Sequence, residues 1–308
     1  MRIYSHPACL AHDTGPTHAE RPERLSAVTD ALHAAFPQLD WHEAPRASRG
    51  QLLRAHTPAL LEQVLDNPVL KLRPSERMFL DPDTVLSPAS AEAGLRAAGA
   101  VVAAVDAVLS GQVTRAFCAV RPPGHHVTAE VAMGFCLFNS IAVGAMHAFA
   151  EHALERVAIV DFDVHHGNGT QAIFEHDRRL LFASSHQLPL YPGTGSRDEV
   201  GDGNIVNAPL PPDAGSAEFR AAWSQRLLPA VDAFKPQLLM ISAGFDAHRM
   251  DPLAQLQLEA LDFGWITDEL VALANRHCAG RIVSTLEGGY DLTALAESSM
   301  AHVGALLA

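Results

Sequence analysis

The sequence predicts a single α/β domain over residues 1–308, with a mostly parallel central sheet and helices on both faces. Strand-like apolar runs alternate along the chain with segments of helical periodicity. Five of these runs end in polar residues of catalytic type, and the carboxyl ends of parallel strands meet at one sheet edge, where ligands bind. No linker-like stretch rich in Pro, Gly or Ser divides the chain, so we expect one domain.

The first predicted helix covers about 24–36. Leu25, Val28 and Leu32 fall on one helical face there, and Pro37 cannot continue the helix. A second helix is expected to begin at the capping residue Ser87 and to run through an Ala- and Val-rich segment.

The remaining elements alternate in the order that parallel pairing requires. Strands are predicted at 116–120, 156–161, 179–184, 237–243 and 281–286, and helices at about 138–152, 168–177, 217–234 and 254–276. The segment from 186 to 212 contains Pro192-Gly-Thr-Gly195 and is predicted to be a long functional loop.

Composition excludes several classes of protein. The formal net charge of -13 disfavours direct binding to nucleic acid, because phosphate backbones are also negative. The sequence shows neither a cationic, apolar leader nor an uncharged run long enough to span a bilayer, so we expect a cytoplasmic protein. The four cysteines are scattered without Cys-x-x-Cys spacing, so any metal must use other ligands.

Three residues form a candidate metal site. Asp163 and His165 are two apart after one strand, so their side chains fall on one face, and Asp246 follows another strand. Two carboxylates and one imidazole leave an open position, which suits one catalytic zinc per chain, although iron(II) accepts the same ligands. An isolated Asp-x-His would more often be a pair of loop residues bonded to backbone, but here the surrounding catalytic residues outweigh that interpretation.

Two further motifs supply catalytic side chains. His125 and His126 follow a rigid Pro-Pro-Gly turn, and adjacent imidazoles with different partners can divide the acid and base work of amide hydrolysis. Tyr290 follows two glycines, which allow a close approach of the backbone, and its phenol can donate to an oxyanion.

Together these residues resemble the zinc-dependent histone deacetylases, of the class II type with bacterial homologues and the acetylpolyamine amidohydrolases. The matching stretches cover nearly the whole chain: Arg21-Pro-Glu-Arg24, Arg121-Pro-Pro-Gly-His-His126, Gly134-Phe-Cys136, Asp161-Phe-Asp-Val-His-His-Gly-Asn-Gly-Thr170, Tyr191-Pro-Gly-Thr-Gly195, Ala243-Gly-Phe-Asp246 and Leu286-Glu-Gly-Gly-Tyr290. The resemblance implies an arginase-like fold, zinc bound by Asp163, His165 and Asp246, an acid/base pair of His125 and His126, and a carbonyl-polarising Tyr290.

The resemblance also implies supporting residues around this centre. Asp161 is expected to orient His125, and Asn168 stands behind His126 where some members have an aspartate. A structural potassium ion is implied at Asp161, Ser184 and the backbone of Asp163, His165 and Ser185. A second potassium site is implied at backbone near Phe174, Asp177 and Leu180.

An acyl-lysine tunnel is implied as well. Its walls are expected to be Gly134, Phe135 and Tyr191, the last replacing a phenylalanine common in the family. The residue at the tunnel mouth is Leu253, where an acidic side chain would mark polyamine specificity. An apolar gate favours an acylated lysine peptide or a small acylated amine over an acetylpolyamine.

Two other functions are weighed against deacylation. A ureohydrolase would hold a second metal through an Asp-x-Asp motif, whereas this chain has Asp246-Ala-His248. A non-catalytic acyl-lysine binder would have replaced Tyr290 or His125, and both are present.

Overall fold

A computed structural model describes all residues from 1 to 308. Ten strands occur in chain order: β1 (Arg2–Ser5), β2 (Asp40–Glu43), β3 (Met78–Phe79), β4 (Val85–Leu86), β5 (Arg115–Cys118), β6 (Val157–Asp161), β7 (Leu180–Gln187), β8 (Ile205–Leu210), β9 (Leu238–Ala243) and β10 (Ile282–Leu286). The eleven α-helices are α1 (Ala8–Ala11), α2 (Glu23–Ala35), α3 (Arg49–Leu52), α4 (Pro58–Leu65), α5 (Ser90–Leu109), α6 (Ser140–His152), α7 (Asn168–Phe174), α8 (Ser216–Ala222), α9 (Leu228–Phe234), α10 (Ala260–His277) and α11 (Leu292–Leu307).

Eight strands form one sheet in the order β2-β1-β5-β10-β9-β6-β7-β8, and every neighbouring pair is parallel. The two short strands β3 and β4 form a separate antiparallel hairpin. Because all eight strands run in one direction, their carboxyl ends lie along a single edge, as the sequence predicts.

Every residue of β6, β7, β9 and β10 is buried, which means that both faces of the central sheet are covered. Helices α2, α10 and α11 pack together, and α5 packs against α6. The apolar core is one cluster of 82 buried residues that extends from Ile3 to Leu306. No helix combines the length and the apolar character needed to cross a bilayer.

The five predicted strands are confirmed as β5, β6, β7, β9 and β10, within a few residues at each end. The helices expected at 24–36, 138–152 and 168–177 are confirmed as α2, α6 and α7. The stretch expected at 217–234 is helical throughout, but a π-helical turn, Trp223–Leu227, joins α8 to α9. Pro229 lies in the first turn of α9 and has no backbone N–H, so it cannot donate the helical hydrogen bond to the preceding turn.

Three boundaries were wrong. Ser87 does not cap α5, which begins at Ser90; the Ser87 hydroxyl instead accepts a hydrogen bond from Asp13 N at 3.1 Å. The helix expected from 254 begins only at Ala260, because residues 257 and 258 form bridges with 215 and 248. The predicted loop 186–212 contains β8, an edge strand paired with β7.

Candidate active site

The predicted site residues follow four neighbouring strands at their carboxyl ends. His125 and His126 follow β5, Asp163 and His165 follow β6, Asp246 follows β9, and Tyr290 follows β10. The loops are bonded to each other: Val164 N donates to Asp246 Oδ1 at 2.8 Å, and Gly288 N donates to Asp163 Oδ2 at 2.8 Å. The strand order therefore brings together residues that lie up to 165 positions apart in the sequence.

Asp163, His165 and Asp246 converge on one point. His165 Nδ1 lies 3.1 Å from Asp163 Oδ1 and 3.1 Å from Asp246 Oδ2, and all three side chains are buried. Burial alone would lower the pKa of His165, but the two carboxylates outweigh it and raise the pKa to about 10. The cluster therefore favours positive charge at its centre, and its donors match a three-ligand zinc site.

Two glycines leave room for these carboxylates. A Cβ atom at Gly244 would overlap the Asp163 carboxylate, and one at Gly288 would lie 2.6 Å from Asp163 Oδ2 and overlap Asp246. Neither glycine adopts a left-handed conformation, so the reason for glycine here is space. The glycines of the motifs Ala243-Gly-Phe-Asp and Glu-Gly-Gly-Tyr thus leave space that the Asp163 and Asp246 carboxylates occupy. A side chain at either glycine would fill that space.

The two histidines have different partners. Asp161 Oδ2 accepts a hydrogen bond from His125 Nδ1 at 2.9 Å, and Asn168 Oδ1 accepts one from His126 Nδ1 at 2.8 Å. An amide oxygen can only accept, so Nδ1 of His126 carries the hydrogen. Its Nε2 atom therefore keeps a free lone pair that can accept a proton.

These environments move the two pKa values in opposite directions. Burial opposes a charge on His125, but Asp163 and Asp161 outweigh it, and the pKa of His125 is raised well above its usual value. Burial, with His125 and His165 nearby, lowers the pKa of His126 well below its usual value. These opposite shifts favour a protonated His125 beside a neutral His126, the division that acid/base chemistry requires.

Tyr290 is buried beside this pair. Burial raises the pKa of its phenol well above the usual value, so the hydroxyl stays protonated and can donate. The guanidinium carbon of Arg24 lies 4.8 Å from the ring centroid, and the ring of Phe135 packs against it edge-on.

A cavity of about 210 Å³ opens onto these groups. Its lining includes His126, His165 and Tyr290, the expected tunnel residues Gly134, Phe135, Tyr191 and Leu253, and two further residues, Asp83 and Leu190. The ring of Tyr191 stands edge-on to His126 with centroids 5.2 Å apart, and 39% of the residue is exposed. The cavity is therefore a short passage from the surface to His126, His165 and Tyr290.

Gly134 has a structural reason to be glycine. Its φ is +59°, and a Cβ atom there would lie 2.5 Å from His126 Cδ2. Phe135 also has a positive φ, of 68°, and its N–H donates to the Thr84 hydroxyl at 3.1 Å. This turn brings the backbone against His126 and projects the Phe135 ring into the cavity.

The residues implied for a potassium ion lie on adjacent strand ends, where Asp161 pairs with Ser184. Both Asp161 carboxylate oxygens already accept hydrogen bonds, from His125 and from the backbone N–H of Asp163. Ser184 Oγ lies 2.9 Å from His186 Nδ1, and Ser185 Oγ accepts from the indole N–H of Trp223. A potassium ion at this place stays a prediction.

The second implied potassium site contains a side chain. The amide nitrogen of Asn204 lies 2.8, 3.1 and 2.9 Å from the carbonyl oxygens of Phe174, Asp177 and Leu180. The amide oxygen accepts from Asp202 N, which fixes the orientation of the amide group. Three carbonyls therefore point at one buried nitrogen that has only two hydrogens to give.

A second histidine–carboxylate group lies away from this centre, between α5 and α6. Asp106 Oδ1 lies 2.8 Å from His147 Nε2 and 2.7 Å from His152 Nε2. Arg54 donates to His147 Nδ1, so the hydrogen of this ring is on Nε2 and is given to Asp106. The three side chains therefore form a hydrogen-bonded ionic cluster. Both ring nitrogens of His147 are used in these bonds, so neither has a free lone pair for a metal.

Sequence reasoning assigned no role to Glu287. Its Oε2 atom accepts from Gly124 N at 2.6 Å and from His125 N at 3.2 Å, and it thus holds the turn that carries the histidine pair. Burial raises the pKa of this carboxyl to about 7. An acidic residue directly after a buried strand is the signal that could have identified it.

Residues 18–306 match the family model described as the histone deacetylase domain. The chain is 40% identical over 282 residues to the histone deacetylase-like amidohydrolase of Pseudomonas aeruginosa, a match covering 89% of this chain and 73% of that protein. It is 38% identical over 298 residues to a probable deacetylase of Archaeoglobus fulgidus, covering 94% and 81%. The crystal structure of the HDA15 HD domain matches with a TM-score of 0.93 and 35% identity, over 99% of this chain and 88% of that one, which confirms the expected fold class.

Proposed function

Because this chain belongs to the histone deacetylase family, we propose that it is a zinc-dependent amidohydrolase that removes acetyl or other acyl groups from lysine side chains or related amines. One observation carries the proposal. The free Nε2 of His126, the phenol of Tyr290 and the metal ligand His165 all line the same cavity. This arrangement supports the joint action of a base, an oxyanion donor and a metal site on one amide bond.

Asp163, His165 and Asp246 would hold the metal, and iron(II) would accept the same donors as zinc. When bound, zinc supplies Lewis-acid polarisation of the amide carbonyl and activation of the attacking water. The protein's own contribution is a buried, preorganised site with one position left for water and substrate.

The histidine pair would move the protons. His126 takes a proton from the attacking water at Nε2 and gives it to the departing amine nitrogen as the amide C–N bond breaks. His125 remains protonated between Asp161, which accepts from its Nδ1, and Asp163, whose Oδ1 lies 3.8 Å from its Nε2, so its positive charge stays beside the metal site. Tyr290 donates its hydroxyl hydrogen to the carbonyl oxygen as negative charge develops there, a contribution that is typically worth about 10²- to 10³-fold in turnover.

The cavity walls favour an acylated lysine side chain. Phe135 and Tyr191 offer aromatic surface to a chain of methylene groups, and Leu253 adds no charge at the mouth. This apolar part of the wall suits the four methylene groups of lysine, whose peptide backbone then stays outside.

An acetylpolyamine is the second candidate substrate, because a carboxylate lies at the same cavity. Asp83 is among the lining residues, and it could pair with the secondary ammonium of a polyamine. The uncharged side chain of Leu253 favours the lysine substrate, and the carboxylate of Asp83 favours the polyamine.

A substrate screen with metal analysis tests the proposal. Purified protein is assayed against acetyl-lysine peptides, acetylated polyamines and longer acyl-lysines, and zinc and iron are measured on the same sample. We expect one metal per chain and turnover of at least one acylated amine. Binding of acyl-lysine without turnover in the metal-loaded protein would instead support a non-catalytic binder.

A further inference from the structure

Asp251 is a buried carboxylate that the proposed chemistry does not use. It lies in the loop after β9, five positions beyond Asp246, and is 7% exposed. Its two side-chain oxygens each accept one backbone hydrogen bond: Oδ1 from Leu253 N at 3.0 Å and Oδ2 from Tyr290 N at 2.7 Å. Burying a carboxylate costs free energy even when it is hydrogen-bonded, and these bonds join two parts of the cavity wall.

Tyr290 needs such an anchor because two glycines precede it. Gly289 has a φ of +122°, in a region that few other residues reach, so local sequence does little to fix the direction of the chain. Arg24 holds the Gly289 carbonyl on one side through Nε. Asp251 holds the next N–H, which is bonded directly to the Cα atom that carries the phenol.

The second oxygen reaches the tunnel mouth. Leu253 follows Pro252, and its N–H closes a local turn on Asp251 Oδ1. Leu253 and Tyr290 both line the cavity. One carboxylate group therefore fixes the backbone of the residue at the mouth and the backbone of the residue at the reacting end.

We propose that Asp251 is a positioning residue, which sets the place of the Tyr290 hydroxyl in the reaction and the place of Leu253 at the mouth. The inference rests on the proposed amide hydrolysis and adds a group that acts through Tyr290 without touching substrate.

Asp251→Asn tests this with almost no change in volume. The amide offers one accepting oxygen, so its NH₂ group must face either Tyr290 N or Leu253 N, and one bond becomes a repulsion. We expect kcat to fall by roughly 10- to 100-fold, the effect of losing one hydrogen bond to a charged group. Metal content and hydroxamate affinity should stay within about 3-fold of the wild type, since a hydroxamate binds the metal directly. Asp30→Asn, an exposed aspartate on α2, is the matched control.

A double-mutant cycle separates positioning from general structural support. If Asp251 acts through the phenol, Asp251→Asn should cost much less in a Tyr290→Phe background than in the wild type, because the hydroxyl to be positioned is already absent. An equal loss in both backgrounds, or loss of bound metal and hydroxamate affinity together with turnover, shows structural support and overturns the proposal. So does unchanged kcat in the single variant. Failure of the proposed function is distinct: the metal-loaded wild type itself would then turn over no acylated amine.

Discussion

The Nδ1 atom of His126 lies 2.8 Å from the amide oxygen of Asn168, so a neutral acceptor stands behind the proposed base. A carboxylate in its place would stabilise the protonated imidazole and raise the pKa of His126. Since His126 must be neutral to accept a proton, Asn168→Asp should move the acid limb of the pH profile of kcat/KM to higher pH. The rate at neutral pH should fall as the protonated fraction grows. An acid limb that stays in place would show that His126 is not the base.

Removing a proposed metal ligand should abolish activity. Asp163→Ala or His165→Ala leaves two protein ligands, so bound zinc should fall sharply and turnover should be lost. Asp106→Ala is the control, because its histidine cluster is bonded without a metal, and it should retain both zinc and activity. Metal analysis by mass spectrometry beside the activity assay checks this. Full activity in metal-free protein would contradict the metal-dependent mechanism.

Tyr290→Phe should separate chemistry from metal binding. It removes one donor with little change in volume, and turnover should fall about 10²- to 10³-fold while zinc content is unchanged. His126→Ala should likewise lose turnover and still bind a hydroxamate. The control is Tyr4→Phe, because the Tyr4 hydroxyl lies away from the site and donates to the Ala103 carbonyl of α5 at 3.3 Å. Near-normal turnover in either site variant would remove that residue from its assigned role.

Leu253→Glu should shift specificity toward cationic substrates. The new carboxylate at the mouth can pair with a polyamine ammonium, whereas a lysine peptide presents amides at that depth. The measurement is the ratio of kcat/KM for acetylspermidine to that for an acetyl-lysine peptide, in the wild type and the variant. Leu261→Glu, on an exposed position of α10, changes the net charge equally and should leave the ratio unchanged. If the wild type already prefers the polyamine, Asp83 rather than Leu253 sets the specificity.

Asn204→Ala should create a dependence on potassium. The change removes the amide hydrogens that the carbonyls of Phe174, Asp177 and Leu180 share, at about 0.5–1.5 kcal/mol for each lost bond. The carbonyls of Phe174 and Asp177 each keep one backbone donor, Asp177 N and Leu180 N. Potassium favours such carbonyl oxygens, so KCl should raise the Tm of the variant more than choline chloride does. The same comparison of Tm in KCl and in choline chloride on the wild type subtracts any effect of the other proposed potassium site. An equal change in Tm for wild type and variant would argue that potassium does not replace the Asn204 amide.

The central strands could be predicted because both of their faces are buried, so they are nearly continuous apolar runs. The edge strand β2 and its neighbour β1 were missed because they show little apolar pattern: only Ile3 and Tyr4 of β1 are buried, and no residue of β2 is fully buried. β8 was taken for part of a loop because turn residues surround it and Pro209 lies within it.

The candidate site followed from residue type and from the common edge of a parallel sheet, without any need for distances. The same reasoning could have marked Glu287, which directly follows β10, as a site residue, but it could not have given the hydrogen-bond partners of Glu287 or Asp251. Glu287 bonds to the backbone of Gly124, 163 positions away, and Asp251 bonds to that of Tyr290, 39 positions away. A backbone N–H is present at nearly every residue, so no residue pattern marks which one a carboxylate will reach.

The position of β10 in the sheet has a consequence for how the protein is made. β10 is the last strand along the chain, yet it lies between β5 and β9 near the middle of the sheet. During synthesis the earlier strands can form only two separate groups, β2-β1-β5 and β9-β6-β7-β8, each with an unpaired edge where β10 belongs. The two halves of the sheet can therefore join only after β10 has been synthesised. Until then each half exposes a strand edge whose free N–H and C=O groups could pair with another chain.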